Sequence, residues 1–258
     1  MSIPGSINPL FLGAAGQATG GGGYQIERSV RFNSPDSAYL SRTPASSSNR
    51  KTWTWAGWVK RSALGTSQYI FESRTGSSDT TIMNLSFNAS DQLQVVNYSY
   101  FPLISTSVYR DASAWYHIVW SLDTTQATAS NRMKLYVNGA EVTTFGTDNR
   151  SSLTQNSDQA INQAAVHYIG GQVYLNAYLA DIHFIDGQAL DPSSFGEFDT
   201  NGVWQPKAYT GSYGTNGFRL PFSDNSAATA TTLGKDSAGS NNWTPNNLSV
   251  TAGAGNDS

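Results

Sequence analysis

The chain has no cysteine. That excludes a disulfide framework, a thiolate metal site and a cysteine nucleophile, so the fold must stand on its core or on neighbouring subunits. Charge is scarce as well. Asp, Glu, Lys and Arg make up 13% of the 258 residues, about half the share usual for a soluble protein. Ser, Thr, Asn, Gln and Gly replace them, a surface chemistry of extracellular, fibrous or particle-borne proteins. With a net charge of −3 the chain offers no basic footprint for nucleic acid. No apolar run approaches the roughly 20 residues that span a bilayer, so membrane insertion is not expected. The short patch Pro9 to Ala15 has no basic lead and too short an apolar core for a secretory signal. What the chain does have is aromatic mass: 7 Trp, 13 Tyr and 11 Phe, ample for a core.

Composition divides the chain into three parts. Residues 1–25 hold one apolar patch and the run Gly20 to Gly23, which cannot hold regular structure against its backbone entropy. They read as a docking arm on a flexible tether, with Ile7, Pro9, Leu10, Phe11 and Leu12 as its apolar tip. Residues 26–198 alternate in apolar character and read as about eleven short strands, over 28–33, 38–41, 52–60, 69–73, 81–87, 93–100, 115–123, 133–138, 141–146, 166–171 and 177–186. Asn138-Gly139 is a type I′ hairpin signal. A short helix is expected over 191–198, capped by Asp191 with Pro192 at its first position. The expected class is all-β, an antiparallel jelly-roll sandwich with an extended arm and an irregular C-terminal extension. Residues 199–258 are rich in turn formers, with single spaced aromatics, and read as an extended connector rather than a second core. The final Asn-Asp-Ser has no closing element, which suggests a piece of a longer chain.

The stretch Trp53-Thr54-Trp55-Ala56-Gly57-Trp58 places three tryptophans within six residues. Period-two alternation puts Trp53 and Trp55 on one face and Trp58 on the other. The first face reads as core, which leaves Trp58 for a ligand or subunit contact.

The order Trp115, His117, Leu135, Tyr136, Val137, Asn138, Gly139, Gly170, Gly171, Asp181, Leu190 resembles the laminin G-like, or concanavalin A-like, jelly-roll family over about residues 28–195. The resemblance implies a structural role for His117, and calcium at strand-end carboxylates, for which Asp123, Asp181 and Asp186 are the candidates. The spacing offers no dense carboxylate loop, so solvated turn carboxylates remain the plainer reading. For function the resemblance is broad, because the fold hosts lectins, glycosidases, adhesion modules and spacers. The flanks "SIPGSINPLFLG", "GTNGFRLPFSDNS" and "LGKDSAGSNNWTPNNLSVTAGAGNDS" resemble structural proteins of bacteriophages, notably tail-fibre-like proteins of marine phages.

Catalysis finds little support. Glucanases of this fold set three carboxylates on alternate positions of one strand. The nearest match, Glu197-Phe198-Asp199-Thr200-Asn201-Gly202, lacks the third acid. His117, His167 and His183 sit mid-strand with no nucleophile elbow, and His183 beside Asp181 lacks further zinc ligands. Sugar platforms are Trp58, Tyr98, Tyr100 and Phe101, with Asn97 or Asp79 as hydrogen-bonding partners, although packing competes for every ring. The expectation is a non-enzymatic virion structural protein, the N-terminal part of a tail fibre or appendage. It would be a homotrimer without coiled-coil heptads, docked on other virion proteins and supporting adhesion to host glycans. A capsid decoration protein, a free lectin and a glycan depolymerase are the alternatives.

Overall fold

The computed structural model of the chain describes residues 23–76, 81–98 and 100–251. The apolar tip at residues 7–12 and Asp79 lie outside them. Among the described residues there are seventeen strands, and the only helical turns are short 3-10 segments.

Two antiparallel sheets pack face to face. One contains β1 (Val30–Phe32), β3 (Thr52–Arg61), β8 (Tyr116–Asp123), β9 (Met133–Val137), β10 (Ala140–Glu141), β13 (Ala177–Asp186) and β16 (Phe218–Leu220). Its order is β1-β13-β3-β8-β9-β10, with β16 also paired to β13. The other contains β2 (Tyr39–Arg42), β4 (Gln68–Arg74), β5 (Ile82–Phe87), β6 (Gln92–Asn97), β7 (Leu103–Val108), β11 (Phe145–Asp148), β12 (His167–Ile169) and β17 (Thr244–Asn246), in the order β11-β7-β6-β5-β4-β12-β2-β17. A two-stranded ribbon, β14 (Gly196–Phe198) with β15 (Trp204–Pro206), stands apart. The expected all-β antiparallel sandwich is therefore the observed class.

Alternation decides the core. Trp53 and Trp55 are fully buried, and Trp55 stacks on Phe71 of the opposite sheet at 6.2 Å. Trp120 meets Trp53 edge to face at 4.6 Å. Burying rings of this size contributes roughly 1.5–3 kcal/mol each. Asn138 and Gly139 both take positive φ, 49° and 82°, and join β9 to β10 as the hairpin signal predicts.

Two expectations need correction. The helix over 191–198 shrinks to a 3-10 turn at Pro192–Ser194, and Gly196–Phe198 is a strand. Asp191 still caps the turn, its carboxylate accepting from the Ser193 amide at 2.8 Å. The helix stops because Phe195 buries against the outer face of the first sheet, which draws the chain into the β14–β15 ribbon. The second correction concerns 199–258 as an extended connector that only lies along other surfaces. Its described part completes the sandwich: β16 pairs with β13, β17 pairs with β2, and Trp243, Phe218, Phe222 and Leu233 lie in the shared core.

The edge of β13 explains how both ends of the chain reach one sheet. β1 pairs with residues 177–179 and β16 with residues 182–184. Between them sits an irregularity in the β3 pairing, where Asp181 has φ +44°. Its carboxylate accepts from Tyr24 Oη at 2.7 Å on one side and pairs with Arg219 Nε at 2.9 Å on the other. His183 Nε2 lies 3.1 Å away. These partners outweigh burial and hold the Asp181 carboxyl well below the usual range.

Candidate groove on the outer face of the first sheet

The outer face of the first sheet is not bare. Residues 188–213 lie across it, with Thr54 Oγ1 donating to the Gln188 carbonyl and accepting from the Leu190 amide, both at 2.8 Å. Ala56, Val119, Ile185 and Phe195 form a small apolar cluster there, ringed by Tyr136, Leu190, Tyr209 and Tyr213. Where this cover meets the β9–β10 edge it leaves a groove of about 560 Å³. Tyr136, Phe198 and Trp204 supply its rings, and Glu141, Asp191, Glu197 and Lys207 supply its charges.

Trp204 is fixed from several sides. Its indole N–H donates to His117 Nδ1 at 3.1 Å, and its ring lies against Gly139 and Gly196. A Cβ at either glycine would approach the ring to 2.4 Å, so both positions exclude side chains. Phe198 meets the indole edge to face at 4.9 Å and keeps 57% of its surface exposed. His117 must be neutral to accept from the indole, and burial pushes its pKa down to about 3. Its amide donates to Asn138 Oδ1 at 2.7 Å, which ties the hairpin turn to the groove wall. Its role is thus structural, as the family resemblance implies.

The carboxylates are unequally engaged. Asp191 accepts from the Ser193 amide and hydroxyl, and Glu141 pairs with Lys134 at 3.2 Å. Glu197 pairs with Gln205 through the backbone, and its carboxylate has no hydrogen bond or ion pair to a described residue. Lys207 Nζ donates to the Ser193 carbonyl at 3.2 Å. Burial, then Glu141 and Asp191, raise the Tyr136 phenol to about 12.

The sequence-derived candidates are scattered. Trp58 is half-buried on the outer face of the first sheet, 4.9 Å from the His117 ring. Tyr98, Tyr100 and Phe101 belong to the β6–β7 connection in the other sheet, so Trp58 does not join them in one platform. Tyr100 packs on the core, and its hydroxyl accepts from Asn97 Nδ2 at 3.1 Å. Tyr98 and Phe101 are exposed. The three aspartates offered for calcium are engaged separately by protein donors. Asp181 holds Tyr24, His183 and Arg219, while Asp186 accepts from Asn49, Asn162 and Asn216. Asp123 accepts from Thr125 and Gln126. No group of three or more potential metal ligands occurs among the described residues.

Sequence reasoning reached Glu197-Phe198 only as a failed glucanase motif and passed over Trp204. The signal available was Asn201-Gly202 between Phe198 and Trp204, a second hairpin dipeptide. The ribbon closes there, with the Asp199 amide donating to the Val203 carbonyl at 2.9 Å and Gly202 at φ +76°.

Residues 34–194 match the laminin G-like model described as the concanavalin A-like lectin/glucanases superfamily, and the chain belongs to that family. Among solved structures it is similar to the native heptameric SAP-like pentraxin from Limulus polyphemus, at 20% identity over 63% of this chain and 76% of that one, TM-score 0.46. It is also similar to Trypanosoma rangeli sialidase, at 17% identity over 56% of this chain and 22% of that one, TM-score 0.40. A third likeness is to domains LG4-5 of the mouse laminin α1 chain, at 13% identity over 67% of this chain and 46% of that one, TM-score 0.43. These are likenesses of architecture. No curated protein matches the chain.

Proposed function

We propose that the chain is a structural protein of a phage virion, part of a tail fibre or related appendage, and that its sandwich carries a non-catalytic glycan-adhesion site. The virion part is supported by the resemblance of the flanks to phage structural proteins and by the apolar tip at residues 7–12. The adhesion part rests on one observation: a groove of about 560 Å³ with the Phe198 face exposed beside an immobilised indole. Its size lies within the usual range for ligand sites. A rigid ring offers contact area at little entropic cost, and assembly into a homotrimer would multiply weak single sites.

Turnover is not part of the proposal. Glycoside hydrolysis needs two carboxyl groups free to act as acid and as nucleophile or base. Here Asp191 is spent on a turn and Glu141 on Lys134, which leaves Glu197 alone.

Two measurements check the two parts. On an immobilised panel of bacterial surface glycans the protein is expected to bind at least one glycan without releasing reducing ends. Phe198→Ala, exposed and safe to truncate, should weaken that binding about tenfold, the scale of one lost aromatic contact. No binding to any glycan would overturn the adhesion part. Deleting residues 1–23 should abolish incorporation into particles; normal occupancy of the truncated protein would overturn the docking part.

A further inference from the structure

We infer that in the free protein the groove is occupied by the chain's own apolar tip, residues 7–12, and that the adhesion site opens when the arm docks elsewhere. The inference rests on the adhesion reading and gives that site a regulation. It starts from where the described chain begins. Tyr24 directly follows the glycine run, and its hydroxyl donates to Asp181 at 2.7 Å while Arg219 lies over its ring at 5.5 Å. His183, which shares that carboxylate, packs on Phe195 of the outer-face cluster at 5.3 Å, so the clamp lies on the outer face of the first sheet. Ala180, next to Asp181, pairs with Trp58, and Trp58 pairs with His117. His117 in turn holds Trp204, and its carbonyl accepts from the Asn138 amide. Clamp and groove therefore share one row, from β13 over β3 and β8 to the β9–β10 turn. Three strand spacings of about 4.8 Å separate them by roughly 15 Å.

The length of the tether fits that gap. Residues 13–23 join tip to clamp; a glycine-rich chain of this length averages about 17–20 Å end to end and extends to about 36–40 Å. An average span that matches the distance gives the highest effective concentration, millimolar for short linkers. The chemistry fits as well. Residues 1–25 contain no charged side chain, and the tip is Ile7-Asn8-Pro9-Leu10-Phe11-Leu12. The groove offers Tyr136, Pro192 and Trp204, with Phe198 exposed beside the indole. Glu141 is engaged by Lys134, and Asp191 and Lys207 by Ser193. The Glu197 side chain alternates away from Phe198 and stays in water. An apolar segment can thus cover the rings without stripping an unpaired charge of its water.

Two measurements on the full chain test this. The first replaces Phe11 by a photo-reactive benzoylphenylalanine and maps the cross-linked peptides by mass spectrometry. Cross-links within one chain to the ribbon at residues 196–206 are expected, and Phe198→Ala should reduce their yield. Cross-links only to other parts of the sandwich, or none, overturn the inference. A ribbon cross-link that joins two chains overturns the choice of the protein's own tip in favour of a second copy. The second measurement compares glycan affinity with and without the paired substitutions Leu10→Ser and Phe11→Ser, which lie outside the sandwich. With about a tenth of the free molecules open, the substituted protein is expected to bind about tenfold more tightly. Unchanged affinity for a glycan that both proteins bind overturns the regulation. Silence of both proteins across the glycan panel overturns the adhesion reading and the regulation with it, while the cross-link alone decides whether the tip sits in the groove.

Discussion

Glu72→Gln is expected to stabilise the protein at pH 8.5 by roughly 3–5 kcal/mol and to change little at pH 4.5. Glu72 lies on β4 near the middle of the eight-stranded sheet, opposite Asn84 of β5 and Tyr168 of β12. Phe71 packs in the core, so Glu72 occupies the other face, yet it is fully buried. Neither of its carboxyl oxygens has a hydrogen-bond partner, and neither has the Nδ2 of Asn84. Burial raises its pKa to about 8, opposed only weakly by Arg74. The native state therefore keeps a proton that the unfolded chain releases near pH 4.5. Stability from this group is full below that point, declines as pH rises, and is gone above about pH 8. Glutamine removes the titration and can accept from the free amide of Asn84. Asp181 acts in the opposite sense: its lowered pKa stabilises above the ordinary carboxyl range and is lost as pH falls. Urea denaturation of both proteins at the two pH values checks the expectation. An equal effect at both would show that the proton on Glu72 is irrelevant.

Trp243→Ala should cost about 3–5 kcal/mol, because it empties the largest buried site contributed by the C-terminal segment. The ring meets Phe218 at 4.9 Å and reaches Phe71 of β4 at 6.3 Å, so it bridges late and early parts of the chain. A single unfolding transition at lower temperature is expected, with near-ultraviolet dichroism lost in one step. Truncation after residue 203 removes β15, β16 and β17 together and exposes the edge of β13 from Ile182 to Phe184. That protein should aggregate, as an unpaired apolar edge does. A soluble truncated protein with the wild-type melting temperature would show that the segment is only attached to the sandwich.

Much of this was legible from local pattern. Side chains on a strand alternate with period two, so Trp53 and Trp55 separate from Trp58 on the page as they do in space. The bounds of β13 coincide with the alternating run 177–186, and Asn138-Gly139 specifies its turn through backbone sterics alone. The groove was half visible, through Glu197 and Phe198 but without Trp204.

The remainder depended on pairing at long range. β7 reads Leu-Ile-Ser-Thr-Ser-Val and hides among polar residues, because its outward positions are exposed. β17 is three residues with a proline, yet it pairs with β2 some two hundred residues earlier. No window along the chain contains that partner. Asp181 was one of three aspartates offered for calcium, and no local pattern shows that Tyr24 and Arg219 come to it from the two ends of the chain. By itself the sequence determined most of the strands between residues 28 and 186 and which of their faces are apolar, since both follow from neighbours one or two positions away. Only the tertiary structure decided which edges meet and which carboxylates are neutralised. It alone decided where a groove remains open, because those depend on groups that are distant until the chain has closed.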